Sequence, residues 1–131
     1  MLRRLSVIAA CAAMLALSAL PAAATTHSST HKLAFPSHSG ISAWGTYKQT
    51  SRGIYVNICV KNTGSSFAAG AVAVGTNASG SRSANLGAVV LGRGTQCRFG
   101  TIRYSSHLKT YIVTWNNHGQ VSYKSGYKKI F

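Results

Sequence analysis

The segment from Ile54 to Lys61 constrains the fold of this chain more than any other. Apolar and more polar residues alternate in it, and the apolar row consists of Ile54, Val56, Ile58 and Val60. Successive side chains of a β-strand point to opposite faces of the sheet, so a period of two predicts a strand with one buried face. Turn-forming residues follow at 62–66, and residues 67–75 resume as a strand of small apolar residues. We therefore expect a hairpin between the two segments.

Further β-forming segments recur along the chain, with turn residues between them. They lie at residues 41–47, 85–91, 95–104, 111–115 and 120–124, and residues 127–131 are a candidate for a short last strand. Trp44, in the first of these segments, is expected to pack on the core. Since no segment beyond the N-terminal region has a helical period, we expect an all-β fold. The prediction is an antiparallel β-sandwich of about seven strands, immunoglobulin-like or similar, with one disulfide.

The N-terminal residues are typical of a secretory signal peptide. Arg3 and Arg4 precede an apolar segment at residues 5–20, and small residues follow Pro21. This apolar segment is shorter than the roughly 20 residues that span a bilayer. We therefore expect cleavage near Ala24 and a secreted, extracellular protein.

This interpretation divides the chain into three regions. Residues 1–24 form the signal peptide, residues 25–40 a flexible arm rich in Ser, Thr and His, and residues 41–131 a single β-sandwich domain. An alternative is lipidation at Cys11, because residues 8–11, Ile-Ala-Ala-Cys, resemble a lipoprotein acylation box.

Cys59 and Cys97 are the only cysteines outside the predicted signal peptide. In an exported chain such a pair is predicted to form a disulfide. A loop of about 39 residues closed in this way stabilises the fold by roughly 4 kcal/mol in the chain-entropy account. The alternatives are two reduced buried cysteines or a catalytic thiol, which would need both cysteines to remain unpaired.

The charged residues of this chain are all basic. The sequence contains 14 Lys and Arg residues and no Asp or Glu, and only Arg3 and Arg4 of the 14 lie in the predicted signal peptide. Without carboxylates there is no salt bridge between side chains. Hydrolysis of glycosides by paired carboxylates, a Ser-His-Asp triad and carboxylate sites for Ca²⁺ or Mg²⁺ are likewise excluded within one chain. We predict no cofactor and no metal site.

Basic residues interleaved with aromatic residues are the positive functional signal. The candidate polyanion-binding residues are Arg98, Arg103, Lys109, Lys124, Lys128 and Lys129. Such a surface attracts a polyanion by charge and can stack on bases or sugars through its rings. The expected partner is an anionic polymer or surface bound with low specificity: a wall polymer, nucleic acid, an acidic glycan or anionic lipid. The predicted function is therefore non-enzymatic binding at or outside the cell envelope.

Two other classes of function remain open on the sequence. The first is a secreted antimicrobial or toxin-like effector, either membrane-active or a histidine-dependent ribonuclease. In the latter, His107 and His118 would act as base and acid while Lys109 stabilised the developing charge. The second is a protease inhibitor or another partner-binding module that presents a loop.

One segment also resembles known proteins. Residues 55–71, which include the run Val-Asn-Ile-Cys-Val-Lys-Asn-Thr, together with Gly-Arg-Gly-Thr at 92–95 and Cys97, resemble small exported actinobacterial proteins of unknown function. In those proteins a valine-rich strand runs into an Asp-Thr turn, whereas here Asn62 stands where Asp is often found. The resemblance implies a β-rich exported domain and no particular activity.

The same composition predicts an unusual response to acid. Apart from the C-terminal carboxyl, no acidic group gains a proton as the pH falls, so the usual cause of acid unfolding is missing. We expect the free energy of unfolding to change little between about pH 5 and about pH 3, a range below the reference pKa of histidine. Urea unfolding followed by circular dichroism across this range measures it, and a cooperative loss of structure would contradict the prediction.

Overall fold

The computed structural model describes residues 29–103 and 105–131 of the chain. They form nine β-strands: β1 His31–Lys32, β2 Ile41–Thr50, β3 Gly53–Asn62, β4 Ala68–Thr76, β5 Ser83–Leu91, β6 Gly94–Arg103, β7 His107–Trp115, β8 Val121–Lys124 and β9 Lys128–Lys129. No helix in the described part of the chain is long and apolar enough to cross a bilayer.

The strands form two antiparallel sheets that pack face to face. Sheet A has the order β1-β2-β3-β6, and sheet B has the order β5-β4-β7-β8, with β9 also pairing with β7. The predicted all-β antiparallel sandwich is confirmed. The prediction of about seven strands omitted only the two-residue β1 and left β9 as a candidate.

The alternating segment forms the central strand β3 and supplies one wall of the core. Ile54 is 1% exposed, and Val56, Ile58 and Val60 are completely buried. The facing wall is built by β4, where Ala69, Ala71 and Ala73 are also completely buried. Burial of these two rows against each other removes both from water at once, which is the main force that holds the sheets together.

The expected hairpin between β3 and the next strand is wrong. β3 pairs with β2 and β6 in sheet A, whereas β4 pairs with β5 and β7 in sheet B. Turn residues specify a change of direction, but they do not specify which sheet the following strand joins. Both strands carry an apolar row, so crossing to the opposite sheet buries the two rows against each other.

Asn62, at the end of β3, holds this crossing in place. Its side chain is 1% exposed, and its amide nitrogen donates hydrogen bonds to the carbonyl oxygens of Ser66 at 2.8 Å and Gly92 at 3.0 Å. Its Oδ1 accepts one from the backbone N–H of Gly64 at 3.0 Å. The amide thus joins the end of β3 to the crossing segment and to the turn between β5 and β6.

Trp44 lies on the outer face of sheet A, so its predicted packing on the core is wrong. The side chain is 44% exposed, while its neighbours Ala43 and Gly45 lie on the inward row of β2. Residues 41–47 carry an aromatic residue on each row, Trp44 on one and Tyr47 on the other. The apolar Ile41 shares its row with Tyr47, and that row is the one that packs on the core.

Part of the predicted flexible arm belongs to the sandwich. β1 pairs with β2, and Leu33 is only 3% exposed within the core cluster. The carbonyl oxygen of Ala34 accepts a 2.7 Å hydrogen bond from the Thr110 hydroxyl. Two apolar residues, Leu33 and Phe35, are enough to anchor a segment whose average composition is polar. The predicted signal peptide lies outside the described residues and stays a prediction.

The predicted disulfide between Cys59 and Cys97 is confirmed. The two residues lie directly opposite each other on β3 and β6, with their Sγ atoms 2.02 Å apart. Since Cys59 lies on the row that alternates with Ile58 and Val60, the bond is on the outer face of sheet A. It therefore links neighbouring strands of one sheet and not the two sheets.

Replacement of the buried amide by its isosteric acid tests the role of Asn62. We expect Asn62→Asp to lower the free energy of unfolding by about 1–3 kcal/mol at neutral pH, because both donated hydrogen bonds are lost and carbonyl oxygens face a carboxylate. Burial and these oxygens raise the pKa of the new carboxyl in the folded state, so the loss should shrink as the pH falls from that raised pKa through the unfolded-state reference value of about 3.9.

Urea unfolding at pH 7 and pH 3 measures both effects. The matched control is Asn57→Asp, an exposed position on the same strand, for which we expect a change within about 0.5 kcal/mol. Equal stability of Asn62→Asp and Asn57→Asp at neutral pH would contradict the role given to Asn62.

Candidate polyanion-binding surface

Two lysines and two tyrosines lie together on the outer face of sheet B. The Lys109 Nζ is 3.9 Å from the centroid of the Tyr127 ring. The Lys124 Nζ is 4.8 Å from the ring centroid of Tyr111 and 5.6 Å from that of Tyr127. The two rings meet edge to face, with centroids 5.5 Å apart. We call these residues, with the adjacent Lys129, the lysine–tyrosine cluster.

The alternation of β7 positions the first two members of the cluster. Leu108, Thr110 and Ile112 are buried on the inward row, so Lys109 and Tyr111 project outward from the same strand. Residues two apart on a strand lie on one face, about 7 Å from each other.

The strands that pair with β7 bring in the other members. Lys124 lies opposite Val113 on β8, and Lys129 lies opposite Lys109 on β9. Ser125, between these strands, is buried and bonded to Ile112 in both directions: its backbone N–H donates to the Ile112 carbonyl, and its hydroxyl accepts from the Ile112 N–H. This anchor determines where the chain turns and hence where Tyr127 lies.

The electrostatics of the cluster favour an anion. A cation over an aromatic ring is stabilised by about 0.5–1 kcal/mol at an exposed site, which offsets part of the repulsion between the ammonium groups. With no Asp or Glu in the sequence, no side-chain carboxylate is available to neutralise them. Negative charge from another molecule would therefore interact favourably with all three lysines at once.

The six predicted polyanion-binding residues do not form a single surface. Lys109, Lys124 and Lys129 come together. Lys128 is exposed but lies opposite the inward-facing Thr110, on the other face of β9 from Lys129. Arg98 and Arg103 lie on β6, the edge strand of sheet A, which packs against β5.

The strand order separates the arginines from the cluster. In sheet B, β5 and β8 are at opposite ends of the order, about 14 Å apart across three inter-strand spacings. Sequence proximity of Arg103 and Lys109 was misleading because the chain passes from one sheet to the other between β6 and β7.

The structure does not bring together the histidines of the ribonuclease hypothesis. His107 begins β7, whereas His118 lies in the turn after the strand ends, and both are exposed. The length of β7 separates them by about 27 Å. Two imidazoles this far apart cannot act as base and acid on one phosphate. Within residues 29–103 and 105–131 there is also no group of three or more His, Cys, Asp or Glu residues placed to hold a metal ion.

A second candidate surface was missed by the sequence analysis. Trp44, Tyr55 and Phe99 are all exposed on the outer face of sheet A. The signal was present in the alternation itself, because the row of β3 that is not apolar begins with Tyr55. Sequence reasoning could not place Trp44 and Phe99 beside it without the register of β2 and β6.

The separation of the two histidines has a direct consequence for activity. We expect RNA incubated with the protein to remain intact, and His107→Ala and His118→Ala to make no difference. Gel analysis of a labelled RNA over several hours measures this. Cleavage by the wild type that disappears in both variants would contradict the geometric argument.

Comparisons of the chain with protein-family models, with curated proteins and with solved structures find no match. The support for a function therefore comes from the chemistry of the two outer faces.

Proposed function

We propose that this protein is a secreted, non-enzymatic binding domain for anionic polymers or surfaces at or outside the cell envelope. The observation that carries the proposal is the lysine–tyrosine cluster in a chain without a single Asp or Glu. The ammonium groups of Lys109 and Lys124 lie over two aromatic rings, and Lys129 lies opposite Lys109 on the neighbouring strand.

Binding by such a surface is driven mainly by charge. A polyanion that lies across the cluster releases condensed counterions, so its affinity falls steeply as the salt concentration rises. Tyr111 and Tyr127 add flat apolar contact for sugars or bases. The polar groups of the cluster do not distinguish one base sequence or glycan structure from another, so we expect binding of low specificity.

The Cys59–Cys97 disulfide supports an extracellular location, because disulfides persist in oxidising compartments and are rare in the cytosol. The same covalent bond helps the domain to keep its fold despite the mutual repulsion of its positive charges.

A specific observation keeps a membrane-active effector as the second candidate. Val89, Leu91 and Val121 are exposed on the outer face of sheet B, Leu91 by 73%, at the end of the sheet away from Lys109 and Lys129. Exposed apolar side chains on the same face as cationic ones are typical of surfaces that bind anionic lipid. The two candidates share the cluster and differ in whether lipid is the partner.

Retention on immobilised heparin across a salt gradient tests the proposal. We expect the wild type to elute well above physiological salt, and the triple variant Lys109→Gln, Lys124→Gln, Lys129→Gln to elute at clearly lower salt. The matched control is the triple variant Lys61→Gln, Arg82→Gln, Arg93→Gln, which removes the same charge at exposed positions outside the cluster.

The comparison between the two triple variants decides whether the cluster is a site. Equal losses would show that net charge alone is responsible, and elution of the wild type at physiological salt would contradict the proposed function. Leakage of dye from anionic vesicles, absent with neutral ones, would favour the membrane-active candidate.

A further inference from the structure

The outer face of sheet A displays three aromatic side chains that the core does not use. Trp44 is 44% exposed, Tyr55 is 40% exposed and Phe99 is 69% exposed. The rings of Tyr55 and Phe99 lie 6.4 Å apart between centroids, tilted by 43°. We call these three residues the aromatic face.

A continuous groove runs along this face. Two cavities of about 440 Å³ each lie side by side on the sheet, one beside Trp44 and the other beside Tyr55. Thr46 and Asn57 line both of them, so the two cavities are contiguous.

The charges in the groove are all positive and lie toward one side. Lys32 lines the cavity beside Trp44, whereas Lys48 and Arg52 line the cavity beside Tyr55. These residues belong to β1, to β2 and to the turn after β2, and Phe99 lies on the opposite side of the sheet, on β6. Lys48 lies directly opposite Tyr55. Lys32 lies opposite Thr46, which is two residues from Trp44 on β2. Cations thus lie beside the rings along the groove.

The strand register makes this arrangement rigid. Asn57 lies opposite Thr46 on one side and Phe99 on the other, and Cys59 lies opposite both Trp44 and Cys97. The disulfide therefore crosses the sheet next to the groove, and β3 is paired with a neighbour along both of its edges. A ligand would meet rings that are already in place and would lose little binding free energy to ordering them.

We infer that this groove binds single-stranded nucleic acid, with bases stacked on the aromatic face and phosphates beside Lys32, Lys48 and Arg52. An unpaired strand offers a flat π-face and a negative charge in every nucleotide, so it can contact the rings and the neighbouring cations at once. A duplex conceals the faces of its bases and can use only the cations. A second copy of this chain would bring lysines against lysines, with no Asp or Glu to pair with them.

This site is separate from the lysine–tyrosine cluster, which lies on the other sheet. The groove presents one hydroxyl and one amide, from Thr46 and Asn57, where both cavities meet. Since every base has a π-face, binding should depend weakly on sequence and strongly on salt.

Binding of a labelled oligo(dT) strand, followed by fluorescence anisotropy at low salt, tests the inference. Trp44→Ala, Tyr55→Ala and Phe99→Ala should each weaken binding by about five- to a hundredfold, the range expected for loss of a stacked base. Trp44→Phe should restore most of the affinity. The matched control is Phe67→Ala, which removes an exposed aromatic residue that lies before β4, outside sheet A, and should change little.

Competition identifies the ligand and separates this inference from the proposed function. Unlabelled oligo(dT) should displace the labelled strand better than its duplex with oligo(dA) or heparin does, and it should still do so in the triple variant that lacks Lys109, Lys124 and Lys129. Equal competition by duplex and single strand would overturn the inference. So would aromatic-face variants that lose heparin and keep oligo(dT), since the ligand would then be an acidic glycan. Urea unfolding of each variant checks that the fold is unchanged.

Discussion

The absence of carboxylates is the constraint on which the rest of this structure depends. A chain with a formal net charge of +14 gains nothing from side-chain ion pairs and repels itself in the compact state. The fold is therefore stabilised by the burial of apolar side chains, by backbone hydrogen bonds between strands and by one disulfide. The largest buried side chains, such as Ile54, Ile58 and Ile112, all lie between the two sheets. In the described part of the chain, no buried polar side-chain atom lacks a hydrogen-bond partner.

The two rows of side chains on each strand have different roles, and this difference follows from that constraint. One row of side chains on β3 and one on β4 pack in the core, and the other row of each strand faces outward. On sheet B the outward row of β7 carries Lys109 and Tyr111, and on sheet A the outward row of β3 carries Tyr55 and Asn57. A thin sandwich thus has two independent outer faces, and each combines rings with positive charge.

The two faces suit different aspects of a polyanion. The lysine–tyrosine cluster is a compact concentration of charge around two rings, suited to any anionic surface. The groove of sheet A places cations beside exposed rings over a longer surface and is suited to a chain whose units are both flat and charged. The disulfide lies beside the groove and not in the core, which assigns it to the stability of sheet A itself.

The alternation at residues 54–61, the paired cysteines and the lack of acidic residues were sufficient to predict an all-β sandwich, a disulfide and a positive surface, because each depends on composition or on a local period. The errors have a common origin. The hairpin expected after β3, the inward position expected for Trp44 and the grouping of Arg98 with Lys109 each depend on which sheet a strand joins and which row it buries. Those choices are made by the contact between the apolar rows of the two sheets. Only the tertiary structure decides them. The local sequence pattern of a strand fits either sheet, and the strand takes the position in which the packed sheets bury the most apolar surface.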